Sequence, residues 1–358
     1  MMEKVRWPVL AGLGLLLGAT LPRQPAGSAG HTDLHPAPAA PWNIARIKAP
    51  QAWAITQGSP EIVVAVIDSG IDFSLPELAG VRWTNPREAP NGRDDDENGY
   101  VDDLYGWDFR DHVPAHRRRT PLHYHGTAVA SVLAARARDL VGVAPQIRLM
   151  DLRFLDSRGL FYERDWRNLA RAIDYAVQNG AHIINLSLVA MAPPPREVEE
   201  ALARAGAQGV LVVAIAGNAG REGVNPLARY PFVLAVAATD RDDRPARFSN
   251  RGPEVDLSAP GAEIPALLPQ GAVGTLSGTS FAAPHVSGTL ALVLSANPGL
   301  SGPAAGEVLL RTCEAWPQER PGFGRGLVDA AAAVAAACNL PAPARPAKLE
   351  NVTKTWDR

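Results

Sequence analysis

A serine, a histidine and an aspartate, each set among small residues, are the groups in this sequence best suited to covalent chemistry. Ser280 stands in Gly278-Thr279-Ser280-Phe281-Ala282-Ala283-Pro284-His285-Val286, ahead of an apolar run that reads as a long buried helix to Ala296. At such a helix start the hydroxyl lies near the positive end of the helix dipole, and small neighbours let a substrate backbone approach. A hydroxyl is a weak nucleophile until a base takes its proton, so acyl transfer there requires a histidine and a group to orient it. His125 in His125-Gly126-Thr127 and Asp68 in Asp68-Ser69-Gly70 are the candidates. A lone serine before a helix is commonly an N-cap, and a lone aspartate after a strand a turn former. Their joint presence carries the inference.

The elements that must position these groups alternate between strand and helix. Glu61 to Ile67 is a short β-branched run ending at Asp68, and similar runs recur at Ile147–Leu155, Ile183–Leu188, Val210–Ala216 and Phe232–Ala237. Segments with helical spacing, such as Arg164–Gln178 and Arg196–Gln208, separate them. This pattern predicts an α/β fold, a doubly wound and mainly parallel sheet with helices on both faces. Ligands bind such sheets beyond the carboxyl ends of the strands, where Asp68, Ser187 and Asn218 fall.

Composition narrows the class. Of the 358 residues, 46% are hydrophobic and 20% charged, with a net charge of −2, which excludes a mainly disordered chain, a basic nucleic-acid binder and a multi-span membrane protein. No repeat at solenoid or propeller spacing occurs.

Three segments together resemble the signature blocks of the subtilisin-like serine endopeptidases: Val66-Ile67-Asp68-Ser69-Gly70-Ile71-Asp72, His125-Gly126-Thr127, and Gly278 through Gly288. The chain order Asp, His, Ser is similar too. Ile183–Leu188, Ala216-Gly217-Asn218, Ser258-Ala259-Pro260-Gly261 and Gly326–Ala330 extend the likeness from about Trp42 to Ala337. The resemblance implies Ser280 as nucleophile, His125 as general base and then acid, and Asp68 as the residue that fixes the imidazole. It implies Asn218, with the Ser280 N–H, as donor to the oxyanion, and protein or peptide substrates. Ser187, Leu188, Val189 and Gly217 would line the substrate cleft.

Two departures from the family pattern bear on that cleft and on folding. Val189 stands where the family usually has glycine, which predicts a narrower cleft, and either Val224 or Asn225 falls at the base of the pocket for the substrate's first side chain. Family members are generally made with a long folding prodomain. About a dozen residues separate the expected signal from Trp42, implying another folding route or a modified fold.

His125 follows Asp68 by 57 positions, and the insertion between them includes Asn91 through Asp103. Asp94, Asp96 and Asn98 followed by Gly99 form the first half of an EF-hand-like loop, with Asp102 and Asp103 as further carboxylates. Tyr105 occupies the place of the closing glutamate, so the loop reads either as a non-standard Ca2+ site or as a solvated acidic turn. His123, His182 and His285 read as structural, since nothing stands at zinc-ligand spacing from them.

At the N-terminus, Lys4 and Arg6 precede an uncharged apolar run, Trp7 to Leu21, as in a secretory signal, with cleavage expected near Ala26 to Ala29. The expected organisation is a signal over 1–30, a linker over 31–41, a peptidase domain over 42–340 and a flexible tail over 341–358. The mature chain would be extracytoplasmic and free of the membrane; its oligomeric state is left open. Cys313 and Cys338, 25 residues apart, read in an oxidising compartment as a disulfide pinning the last helix or as two buried free thiols. Two rival functions stand beside the peptidase: a catalytically idle binding protein of the same fold, and an α/β-hydrolase esterase. The esterase fails, because Ser280 lacks the Gly-x-Ser-x-Gly elbow and comes last in chain order.

Overall fold

Strand β1 (Val63–Asp68) runs through the middle of the molecule, and all six of its residues are buried. It is one of seven strands that form the body of the main sheet, with β2 (Gly106–Asp108), β3 (Arg148–Arg153), β4 (Ile183–Leu186), β5 (Leu211–Ile215), β6 (Val233–Thr239) and β7 (Leu257–Pro260). The computed structural model describes residues 40–341. The expected signal, the linker through residue 39 and the tail from 342 lie outside the described residues. In space the order is β7-β6-β5-β4-β1-β3-β2, extended at one edge by Gly326–Leu327 and Glu314–Ala315 and at the other by Val113–Pro114. All contacts among the seven are parallel, with Val64 opposite both Leu149 and Ile183.

Alternation along the strands divides the core into two layers. Val64 and Val66 join a cluster containing α1 (Tyr124–Ala134), α4 (Thr279–Ala296), α5 (Gly302–Arg311) and α6 (Ala330–Cys338). Val63, Ala65 and Ile67 face the opposite cluster, with α2 (Trp166–Gln178) and α3 (Arg196–Ala207). Helix α2 buries Leu169, Ala172, Ile173 and Ala176, one face of a 3.6-residue period, and exposes Arg167 and Arg171. Burying Leu169 and Ile173 in this way contributes roughly 1.5–3 kcal/mol each, the two alanines less. Helix α4 differs, being buried on every side from Thr279 to Leu294, which suits its place under the sheet.

The doubly wound sheet is as expected. The short edge strands are additions: runs of two to four residues, such as Gly106–Asp108 and Gly326–Leu327, carry too little periodicity to be read in advance. The expected disulfide does not form. Cys313 and Cys338 are both free, and Cys338 is exposed at the last position of α6. The Cys313 thiol donates to Leu309 O, and burial pushes its pKa up to about 12.

The insertion is fastened to the sheet by buried charge. Arg153 on β3 reaches Asp108 at 2.8 Å and Asp111 at 3.0 Å, while Arg118 meets Asp151 at 2.7 Å. Asp151 also accepts the Ile71 N–H, so this network supports the turn directly after Asp68.

Candidate active site

Asp68 ends β1, and His125 is the second residue of α1, so strand end and helix start bring the two together. Asp68 Oδ1 and Oδ2 lie 2.8 and 3.0 Å from His125 Nδ1. A carboxylate only accepts, so Nδ1 carries the proton and Nε2 is left as the basic nitrogen. The Asp68 carboxylate also takes the Ser69 N–H, and Ser69 Oγ in turn bridges His123 O and Gly126 N at 2.9 Å each. Gly126 is required at this point: a Cβ there would stand 2.5 Å from Gly70 O. Burial depresses the His125 pKa, and the adjacent Asp68 charge outweighs it, so the net shift is upward from 6.5.

Ser280 is the second residue of α4, where main-chain N–H groups have no partner within the helix. Its hydroxyl makes a long, 3.4 Å bond to Ser187 O and, among the described residues, none to His125. Pro284 lies four residues on and has no N–H, so it cannot bond the Ser280 carbonyl as a helix would. That carbonyl accepts from Ser187 Oγ at 2.9 Å instead. Asn185 donates to Ser187 Oγ at 3.0 Å and accepts from Ser287 Oγ at 2.9 Å, closing a buried relay between β4 and α4.

Asn218 follows β5 after Gly217, whose φ of +108° would strain any other residue. Its Oδ1 accepts from both the N–H and the hydroxyl of Thr279, at 2.8 and 2.7 Å. With the oxygen held, the amide nitrogen is turned outward, 3.6 Å from where a Gly278 side chain would begin. Through Thr279, Asn218 is thus held against the start of α4, one residue before Ser280.

Beside Asn218 opens a cleft of about 530 Å³ bounded by Val189, Gly217, Val224 and Asn225. Asn225 closes its floor, donating to Leu188 O at 2.8 Å and accepting from Ala190 N at 3.0 Å. Successive residues of an extended segment point their main-chain groups to opposite sides. Ser187 and Val189 thus face away from Asn225, and no backbone bond among the described residues engages Val189.

The structure places Asp68 against His125, Asn218 against Thr279 and Ser280 against Ser187, with Val189 and Gly217 bordering the cleft and Leu188 bonded to Asn225 beside it. Sequence reasoning missed Thr279, Asn185 and Ser287, which touch no expected substrate atom and hold the residues that do. Only Pro284, four positions after Ser280, carried a readable signal.

In the insertion, carboxylate oxygens of Glu88, Asp94 and Asp96 lie within 4.8 Å of one another. Asp96 Oδ1 is buried with no hydrogen-bond partner, as expected of an oxygen kept for a cation. Two residues assigned to this group by spacing are turned elsewhere. Asn98 donates to Asp103 Oδ2, and Asp102 accepts from Asn91 N, Gly92 N and Arg117. Glu88 replaces them, unseen in sequence because it lies six residues before Asp94.

The sequence model of the subtilase family matches residues 59–333. The chain belongs to the subtilase family. Among relatives, thermitase of Thermoactinomyces vulgaris is 33% identical over 250 residues, 70% of this chain and 80% of thermitase. Subtilisin BL of Lederbergia lenta is 33% identical over 297 residues, 82% of this chain and 98% of that protein. The solved structure of the prenylagaramide maturation protease PagA superposes with a TM-score of 0.65 at 29% identity, covering 80% of this chain and 98% of PagA. This subtilase is a serine-type endopeptidase, a hydrolase acting on protein or peptide substrates.

Proposed function

We propose that this subtilase cleaves peptide bonds through an acyl-enzyme on Ser280. The observation that carries the reading is the pairing of Asp68 with His125 Nδ1 at 2.8 Å, which leaves Nε2 free to act as a base, and it is supported by Asn218 held through Thr279 beside the start of α4. A rotation about the Ser280 Cα–Cβ bond frees its hydroxyl from Ser187 O. His125 Nε2 then takes the proton as Oγ attacks the substrate carbonyl. Negative charge then gathers on the carbonyl oxygen, where Asn218 Nδ2 and the Ser280 N–H would donate to it. The imidazolium, stabilised by Asp68, gives its proton to the leaving amine, and water releases the acyl group by the same steps in reverse. The extended segment Ser187–Val189 offers its open edge to the substrate backbone.

The rival reading, an idle fold that only binds, would be favoured by a replaced triad residue, and none is replaced. Reaction with a fluorophosphonate probe tests the proposal: the parent should label and Ser280→Ala should not. An unlabelled, folded parent would favour the idle fold.

The peptidase domain spans 42–340 in this reading, and the basic and apolar start of the chain directs export. No helix among the described residues is long and apolar enough to cross a membrane. We also infer that Glu88, Asp94 and Asp96 hold a Ca2+ ion, which would neutralise their mutual repulsion and stiffen the insertion. Added Ca2+ should raise the thermal midpoint of the parent and do so far less for Asp96→Asn; equal midpoints with Ca2+ and with chelator would exclude the site.

A further inference from the structure

The cleft beside Asn218 is walled by Val189, Val224 and Pro226, and its other two asparagines are already bonded. Asn225 is bonded to Leu188 O and Ala190 N. Asn250 accepts from Ala219 N at 2.8 Å and donates to Gly223 O at 3.1 Å. Among the charged residues bordering the cleft, Glu222 is exposed to solvent and lies 3.7 Å from Arg251, whereas two arginines carry the opposite charge. Arg221 and Arg229 have no carboxylate within 4.0 Å among the described residues. Arg229 uses only Nε, donating to Val224 O at 3.1 Å, so its terminal nitrogens are free. Apart from Asn218 Nδ2, which the reading above assigns to the oxyanion, the free donors of these lining side chains are therefore guanidinium nitrogens. Donors of this kind suit a carboxylate, which accepts two parallel bonds from one guanidinium.

We propose that Arg221 and Arg229 make this a peptidase selective for an acidic side chain, glutamate above all, at the residue whose carbonyl Ser280 attacks. The methylenes of glutamate pass the apolar walls, and its carboxylate reaches the arginines beyond them. Asn225 across the floor keeps the cleft shallow, which disfavours a large aromatic ring. This inference rests on the acyl-enzyme reading above and specifies its substrate.

The test compares peptides that differ only at that residue, carrying Glu, Gln, Phe or Lys, cleaved by the full-length protein. Glu and Gln have the same shape, so their ratio isolates charge. Glu should exceed Gln by roughly three- to tenfold in kcat/KM, the scale of two partly solvated ion pairs. The ratio should shrink as salt rises. Arg221→Gln and Arg229→Gln together should bring it close to unity, and charge reversal to Glu at both positions should favour Lys. A parent that labels with fluorophosphonate yet cleaves Gln, Phe or Lys peptides as well as Glu overturns the selectivity alone. A parent that neither labels nor cleaves overturns the acyl-enzyme reading, and the selectivity falls with it.

Discussion

His125 and His285 are both buried imidazoles within reach of the same helix, and they are tuned in opposite directions. His125 packs 5.7 Å from the Phe281 ring with Asp68 against its Nδ1. His285 sits inside α4, where Nδ1 meets Phe281 O at 2.7 Å and Nε2 meets Asn43 Nδ2 at 2.8 Å. A carbonyl only accepts, so Nδ1 of His285 is the protonated nitrogen and Nε2 accepts from the asparagine. Burial lowers its pKa to about 4, and the Phe281 carbonyl offsets little of that. Around His125 the same burial is overcome by one carboxylate. Desolvation alone makes a silent, neutral histidine; an anion at hydrogen-bond distance makes a base that can hold a proton during the reaction.

The most damaging way to break the contrast is to remove that anion. Asp68→Asn keeps the side-chain shape but leaves His125 with a neutral partner, as His285 has. The pKa of His125 should then fall, and the asparagine amide can donate to Nδ1, forcing the wrong tautomer. The expected loss in kcat is on the order of 10⁴-fold, with binding of a peptide inhibitor little changed. A pH profile sharpens the same point. In the parent, the acid limb of kcat/KM should lie above 6.5, the ordinary histidine value, because His125 must be deprotonated to act. A limb below that value would place the charge of Asp68 elsewhere than on His125.

His285 leaves its mark on stability instead. Its folded pKa of about 4 is below the 6.5 expected when unfolded, so between those values the unfolded chain binds more protons. Stability should therefore be complete above pH 6.5 and decline as pH falls toward 4. Over about 2.5 pH units this amounts to roughly 3 kcal/mol, and denaturant midpoints across that range would read it. His125 works the other way: its raised pKa favours the folded state at low pH, and that contribution is lost as pH rises through the folded value.

The two histidines also show where sequence reading succeeds. His125 and Asp68 were legible because the chemistry limits them to a few residue types at the ends of recognisable elements. The parallel sheet was legible because its buried strands are unbroken apolar runs such as Val63–Ile67. What positions the site was not, since Asn43–His285 and Asn185–Ser287 are contacts between residues 242 and 102 positions apart. No local pattern marks them, and an asparagine in a short helical turn is indistinguishable from a solvated one. The calcium candidate fell between these cases. Alternating acids marked the loop, but the backbone turned Asn98 and Asp102 away and brought in Glu88 from outside the pattern.

Asn43→Asp would turn the silent site into a copy of the other one, and its effect should be the smallest of the series. The substitution conserves shape and places a carboxylate where the amide now stands, 2.8 Å from His285 Nε2. The charge should raise the His285 pKa toward or above 6.5, readable as a shift in the imidazole proton resonances with pH. Asn43 Oδ1 has no partner now, so one acceptor is already buried without a donor, and the second would be met by the newly protonated Nε2. The buried pair gains attraction and loses hydration in similar measure, so neutral-pH stability should change by only about 1 kcal/mol in either direction. The decline between pH 6.5 and 4 should flatten, because folded and unfolded histidines would then titrate together. A variant whose stability still falls as steeply as the parent's would mean that burial outweighs a carboxylate at this depth.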